Sequence, residues 1–392
     1  MEDVNGAMTG LLHVWSVYQQ DADDVMAGIM FGMPSKPLSS EDMLILAEHA
    51  RKFKFFVEEI ALRQEYLKRV QLEGKERIKF ISKIAQAYHN IKMSKAAGKI
   101  LSPFLLTDYR LIKPRLIKYE TEARHEISST DTLNIKRTLS GTEQLCQSET
   151  KTSKEQSKLY CTLRRTEIPY YVVKEEVLHV RPRVLLFHDV ISDDDIRNLK
   201  KTTIQQLYSP SEIYFNDAGM TIYQLKDRKF KRLSDKLSRR MSRITGLSNQ
   251  LKPIQTDAEN FQVIHYGPGG RLPEISDCRT ESLWTCTEHD QLPLAPYVRY
   301  SGDNIATWIT FLNDVKEGGA TIMPALKVRV PAVKGAALFF YNYKRSGDCD
   351  LRTQYRTCPV ALGTRWDAVK LIKQGGQVFR RLCDTSMDSK DD

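Results

Sequence analysis

From residue 166 to the C-terminus no long helical period organises the chain. Short β-rich runs follow one another instead: Tyr170-Tyr171-Val172-Val173, Val184-Leu185-Leu186-Phe187, Phe261-Gln262-Val263-Ile264, Ala306 to Leu312, Val328-Arg329-Val330 and Ala336 to Tyr341. Gly, Pro and Asp turns separate them, as strands of an antiparallel fold require. Many short strands with few helices predict a β-sandwich or barrel. Two helices interrupt the pattern. One starts at Ser192-Asp193-Asp194-Asp195, a Ser N-cap with an acid three residues on. The other is basic and amphipathic, over about Lys229 to Thr245.

The front of the chain is built differently. Residues 1–120 read as helical, with apolar residues at three- and four-residue spacing over Glu41 to Leu72 and Lys75 to Ile100. Ser39-Ser40-Glu41-Asp42 supplies an N-cap with acids in the first turn, where the helix dipole favours them. A break at Glu73-Gly74-Lys75 predicts a helical hairpin, the unit of a tetratricopeptide repeat. Residues 121–165 are rich in Ser, Thr, Glu and Lys and read as a linker, leaving 166–392 as the β-rich domain. No apolar run approaches the ~18 residues of a membrane helix, so no span is expected. The net charge of +10 comes from Lys and Arg interspersed with Asp and Glu, without a nucleic-acid module, so no nucleic-acid partner is expected.

Several segments of the back half together carry a resemblance. They are Phe187-His188-Asp189-Val190-Ile191-Ser192, Gln262 to Gly270 with its Tyr266-Gly267-Pro268-Gly269-Gly270, Ile305-Ala306-Thr307-Trp308, Gly318 to Pro324, Lys334 to Asn342, and Cys358-Pro359-Val360 with Gly363 and Trp366. In this order they resemble the C-terminal domain of the collagen prolyl 4-hydroxylase alpha subunit, an Fe(II)- and 2-oxoglutarate-dependent dioxygenase. The resemblance runs from about residue 140 to 383. More faintly, the helical front resembles that family's peptide-binding domain. It implies an α+β chain, a tetratricopeptide-like helical domain followed by a double-stranded β-helix (jelly-roll) domain. It also implies Fe(II), 2-oxoglutarate and ascorbate (vitamin C) as cofactors, protein disulfide isomerase as partner, and proline-rich or collagen-like peptide as ligand.

The implied chemistry needs two His and one carboxylate on one face of an iron, with positions left for 2-oxoglutarate and O₂. Carried over residue by residue, the set is incomplete. The His-x-Asp position reads Ile275-Ser276-Asp277, so Asp277 is retained and the first His is Ile275. The distal His position, three residues before Cys358-Pro359-Val360, is Tyr355. Lys370, in the register set by Gly363 and Trp366, is expected to pair with the far carboxylate of 2-oxoglutarate. A shifted register does not restore the set. None of the eight histidines is followed two residues later by Asp or Glu, and none lies beyond residue 290. His265 beside Tyr266 reads as structural, and Gly267-Pro268-Gly269-Gly270 as a turn, since no Lys-Ser/Thr or helix start follows.

Seven cysteines stand at 146, 161, 278, 286, 349, 358 and 383, with no Cys-x-x-Cys and therefore no zinc expectation. The resemblance implies the disulfides Cys146–Cys161 and Cys358–Cys383, which persist in an oxidising compartment. Met1 to Gly6 has no basic n-region, a cytosolic reading, and the chain closes without a KDEL-type signal. The cysteines favour the endoplasmic reticulum over that reading. On this evidence the chain is expected to be a prolyl 4-hydroxylase alpha-subunit-like protein with a degenerate iron site, acting as a binding or assembly subunit. The alternatives are an active procollagen-proline 4-dioxygenase and an iron-free dicarboxylate sensor. Aromatics at Phe53, Phe55, Phe56, Tyr66, Phe80 and Tyr88 offer either a helical core or a surface on which a polyproline ridge stacks.

Overall fold

The structure, a computed structural model, describes residues 2–124, 139–148, 151–166, 170–206, 214–216, 219–224, 231–251, 256–278 and 301–383. It divides into two units, Met1–Ser140 and Gly141–Asp392. His125, Cys286 and His289 lie outside the described residues.

In the first unit, α1 (Glu2–Tyr18) and α2 (Ala22–Met26) lead into a small hairpin, β1 (Ile29–Met30) with β2 (Met33–Pro34). Five helices follow: α3 (Ser40–Lys52), α4 (Phe56–Arg69), α5 (Gly74–Asn90), α6 (Ser94–Leu101) and α7 (Tyr109–Ala123). Ser39 caps α3 as its sequence predicts: its Oγ accepts from Asp42 N at 3.1 Å while the Asp42 carboxylate accepts from Ser39 N. The two long helices expected over 41–72 and 75–100 are each cut in two. Lys54 and Lys92 take left-handed backbone, with φ of 64° and 60°, and end one helix before the next begins. Both pieces of each pair turn their apolar residues toward the same core, so the periodicity runs on across the break. From α3 to α7 each helix packs on its neighbour in the chain. Tyr88 is fully buried, and Tyr66 stacks on Phe80 with centroids 5.1 Å apart, while Phe53 is exposed.

The second unit begins inside the segment expected as a linker. Helices α8 (Gly141–Gln147) and α9 (Ser153–Gln156) and strand β3 (Cys161–Arg165) all belong to it, with Leu145 and Cys146 buried. A nine-stranded antiparallel sheet runs in the order β3, β4 (Val172–His179), β5 (Val184–His188), β14 (Ala337–Tyr341), β10 (Asn304–Phe311), β17 (Arg365–Lys373), β8 (Gln262–Tyr266), β7 (Met220–Gln224) and β6 (Tyr214–Asn216). A second, four-stranded sheet is ordered β13 (Val328–Val330), β12 (Thr321–Met323), β15 (Tyr355–Thr357) and β9 (Leu272–Ile275). A short pair joins β11 (Glu317–Gly318) to β16 (Val360–Leu362).

Strand alternation assigns the two faces of the large sheet. One face, with Trp308, Phe339, Trp366, Ala368 and Ile372, packs with α10 (Asp193–Gln206) and α11 (Lys231–Thr245) in one core. The other, with Ile309, Phe311, Leu338, Phe340 and Val369, meets Leu272, Met323, Val328 and Tyr355 of the small sheet in a second core. The sandwich interior lies there. Ser192 caps α10 by accepting from Asp195 N at 3.3 Å, and Asp195 in turn takes Lys236 of α11 at 2.7 Å. In the glycine turn, Gly270 has no room for a side chain: a Cβ there would stand 2.6 Å from Gly219 O.

The cysteines pair otherwise than the resemblance implies. α8 packs against β12 and β13, which brings Cys146 to Cys358 with Cα atoms 5.8 Å apart, both residues buried. Cys278 is joined to Cys349. Cys161 and Cys383 are free and exposed, so neither Cys146–Cys161 nor Cys358–Cys383 forms. Non-reducing peptide mapping of oxidised protein is expected to recover 146–358 and 278–349 as linked peptides, with Cys161 and Cys383 open to alkylation. Because Cys146–Cys358 spans 212 residues, Cys146→Ser is expected to cost up to about 5 kcal/mol on the chain-entropy estimate, read as a drop in urea midpoint. Recovery of either expected pairing would overturn the assignment.

Candidate functional site

The interior between the sheets carries a chain of polar groups. β9 and β15 are paired so that Ile275 stands directly opposite Tyr355. Asp277 follows two residues on, beyond the end of β9, and its neighbour Cys278 is tethered to Cys349. Ile275, Asp277 and Tyr355 are thus brought together. The Tyr355 phenol hydrogen-bonds the Asp277 carboxylate, and Thr307 of β10 donates to the same carboxylate at 2.6 Å. Thr307 accepts from Asn342 Nδ2 at 2.9 Å, and Asn342 also donates to Asn304 O at 3.1 Å. Burial raises the Asp277 carboxyl above the usual carboxylate range, against the pull of the two hydroxyls. Burial and the adjacent Asp277 raise the Tyr355 phenol further still, so it stays protonated at any physiological pH. Among the described residues, no group of three or more His, Cys, Asp or Glu side chains is arranged to hold a metal ion.

Deeper in the same interior lies a residue that the sequence did not single out. Arg365 opens β17 and is 1% exposed. Its Nε donates to both oxygens of Asp367 at 3.0 Å, Nη1 to Gly319 O at 2.6 Å and Nη2 to Thr321 Oγ1 at 2.7 Å. Phe311 and Tyr266 flank it, with ring centroids 5.0 and 5.4 Å from the guanidinium carbon. Burial weighs against its charge, but the Asp367 carboxylate holds it protonated. Alternation was the available signal: positions 365 and 367 share a strand face, and in an antiparallel core two facing charges of opposite sign neutralise each other.

Lys370 is elsewhere. It pairs with Trp308 across β10 and β17, and alternation puts it with Trp366, Ala368 and Ile372 on the face that packs with the helices. Its ammonium lies 4.7 Å from the Phe261 ring centroid, fully buried, with no hydrogen-bond partner among the described residues. The register that places Lys370 beside Asp277 therefore fails by parity, since 365 and 370 point to opposite faces. His265 also faces away: it pairs with Trp366 and lies tilted against its ring with centroids 4.3 Å apart, and burial lowers its imidazole.

The chain is 34% identical over 239 residues to prolyl 4-hydroxylase subunit alpha-3 of Rattus norvegicus, covering 58% of this chain and 41% of the relative. It is 28% identical over 421 residues to prolyl 4-hydroxylase subunit alpha-1 of Gallus gallus, covering 98% of this chain and 78% of that one. A solved structure of the viral collagen prolyl hydroxylase of Paramecium Bursaria Chlorella virus-1 matches at 19% identity and a TM-score of 0.36, over 48% of this chain and 95% of that one. The chain spans about two fifths of the length of the alpha-3 relatives that it matches. No family model matches it.

Burial depresses the Lys370 amine to about 8, against the opposing pull of Asp235 and Glu259. Between that value and the ~10.4 of an unfolded lysine, the unfolded chain holds a proton that the folded chain has released. Stability therefore rises with pH across this window, by up to about 3 kcal/mol. Urea unfolding at pH 7, 8, 9 and 10 is expected to show the rise. Lys370→Met is expected to remove it and to be the more stable protein at pH 7. A parent profile flat from pH 8 to 10 would mean that the amine is solvated.

Proposed function

The chain belongs to the prolyl 4-hydroxylase alpha-subunit family, and from that premise we propose that it is a catalytically silent member, a binding or assembly subunit on a jelly-roll scaffold. The observation that carries this reading is the Ile275–Tyr355 pair. At the two positions where the family resemblance implies imidazoles, one side chain is a hydrocarbon without a donor atom. The other is a protonated phenol already bonded to Asp277. A phenol binds Fe(II) only after ionising from a pKa near ~10, and this phenol is held above that. The residues present do not fit an iron ion.

The arrangement of cations supports the same reading. A dicarboxylate in this interior needs an uncommitted positive charge. Lys370 faces the other side of the sheet, and Arg365 is committed to Asp367, Gly319 and Thr321. Asp367 supplies from within the chain the carboxylate that a dicarboxylate ligand would bring. Protein disulfide isomerase as partner, proline-rich peptide as ligand of the helical unit and the endoplasmic reticulum as compartment are part of the proposal. Two buried half-cystines at Cys146 and Cys358 support the oxidising compartment.

Purified protein is expected to take up no stoichiometric Fe(II) and to release no succinate from 2-oxoglutarate with any proline-rich peptide. Stoichiometric iron, or peptide-dependent succinate, would sink the reading. Restoration provides a second measurement. Ile275→His with Tyr355→His sets two imidazoles beside Asp277, and the double variant is expected to bind Co(II) by calorimetry while neither single variant does so strongly. A folded double variant without Co(II) binding would mean that these are not the vacated ligand positions.

A further inference from the structure

On the helix-facing side of the large sheet, away from the interior of the sandwich, lies a cavity of about 290 Å³. Its apolar wall is Leu185, Phe187 and Phe339, all buried, with Tyr341 beside them, and the end of α11 at Ile244 and Thr245 closes one side. At its mouth two arginines share one carboxylate. Glu175, 3% exposed, accepts from Arg164 Nε at 2.9 Å through one oxygen and from Arg183 Nη2 at 2.6 Å through the other.

The two guanidiniums are not equivalent. Arg164 also donates to Ile244 O at 2.7 Å, so it closes the carbonyl end of α11. Arg183 has Glu175 as its sole acceptor among the described residues, and its side chain is 41% exposed. One carboxylate between two guanidiniums leaves one positive charge in excess. Arg183, Arg345 and Arg381 all lie near enough to draw the Tyr341 phenol down against the burial that raises it. The Arg381 guanidinium carbon is 3.8 Å from the Tyr341 ring centroid. A salt bridge made only to satisfy Glu175 would need one arginine and no aromatic wall beside it.

We propose that this cavity binds a small planar apolar molecule carrying one carboxylate, its ring against Phe187 and Phe339 and its carboxylate on the open N–H groups of Arg183. An aromatic wall with one oriented charge at the mouth is the usual composition of a small-ligand site. A guanidinium fork matches a carboxylate in both charge and geometry. The site uses none of the groups around Asp277, so it stands whether or not the chain is catalytically silent.

The probe is 2-naphthoate, titrated into the full chain and followed by its own fluorescence and by calorimetry. One saturable site is expected, weakening as salt is raised. Arg183→Gln, a change at a half-exposed position, is expected to weaken binding about tenfold or more, the loss of one charge-assisted contact. Glu175→Gln, which removes the competing carboxylate, is expected to tighten it. The neutral analogue 2-naphthalenemethanol is expected to bind at least tenfold more weakly than the acid. No saturable binding of 2-naphthoate to folded protein, or binding unchanged by Arg183→Gln, overturns the proposal. So does equal affinity for the alcohol, which would mark the cavity as merely apolar.

Discussion

One guanidinium joins the two sheets of the second unit. Arg365 springs from the large sheet, and its donors end on Gly319 and on Thr321 of the small one, with Asp367 supplying the balancing charge. A charge so deep in a protein is tolerated only with its donors satisfied and its counter-ion present. Loss of Asp367 alone would leave an unpaired buried cation, a defect of about 3–5 kcal/mol. The rest of the interior is arranged around that requirement. Tyr266 and Phe311 flank the guanidinium, and the Tyr355–Asp277–Thr307–Asn342 sequence of hydrogen bonds lies in the same interior.

Such an interior keeps its polar groups committed to neighbours in the chain. A site that turns over needs groups left unsatisfied until substrate arrives, because only interactions that strengthen at the transition state accelerate a step. Here the Tyr355 phenol and Thr307 are bonded to Asp277, and the Arg365 guanidinium is bonded to Asp367, Gly319 and Thr321. The proposed silence of the domain follows from this, since a polar group committed inside the core is unavailable to anything that enters.

The sequence conveyed the broad plan and missed particular residues for physical reasons. Helical periodicity identified the front unit but ran smoothly through Lys54 and Lys92, where the backbone turns and both halves still face one core. Apolar runs located β5, β10 and β14. They missed β17, the strand that carries Arg365, Asp367 and Lys370, because charges on both faces erase the apolar pattern. Lys370 was drawn to the wrong face by counting along a motif without the parity of the strand. The cysteine pairing was beyond reach, since spacing does not fix connectivity among seven cysteines, and only the packing of α8 on β12 and β13 brings Cys146 to Cys358. Glu175 on β4, Arg164 on β3 and Arg183 in the turn before β5 meet only through the sheet pairing, and Glu175 is buried there.

The Cys146–Cys358 link also changes how the second unit would carry a load. Tension applied at its two ends passes from residue 146 to residue 358 through a covalent bond, bypassing the 212-residue separation between them. Strands β3 to β15 and the Glu175 cavity fall inside that bypass, while β16 and β17 lie beyond residue 358. While the bond is oxidised, pulling can extend only residues 141–145 and the stretch beyond residue 358, which includes β16 and β17. On reduction, the same pull would also load the ladder hydrogen bonds of β3 to β15, so the thiol state of two buried cysteines sets how much of the unit carries the force.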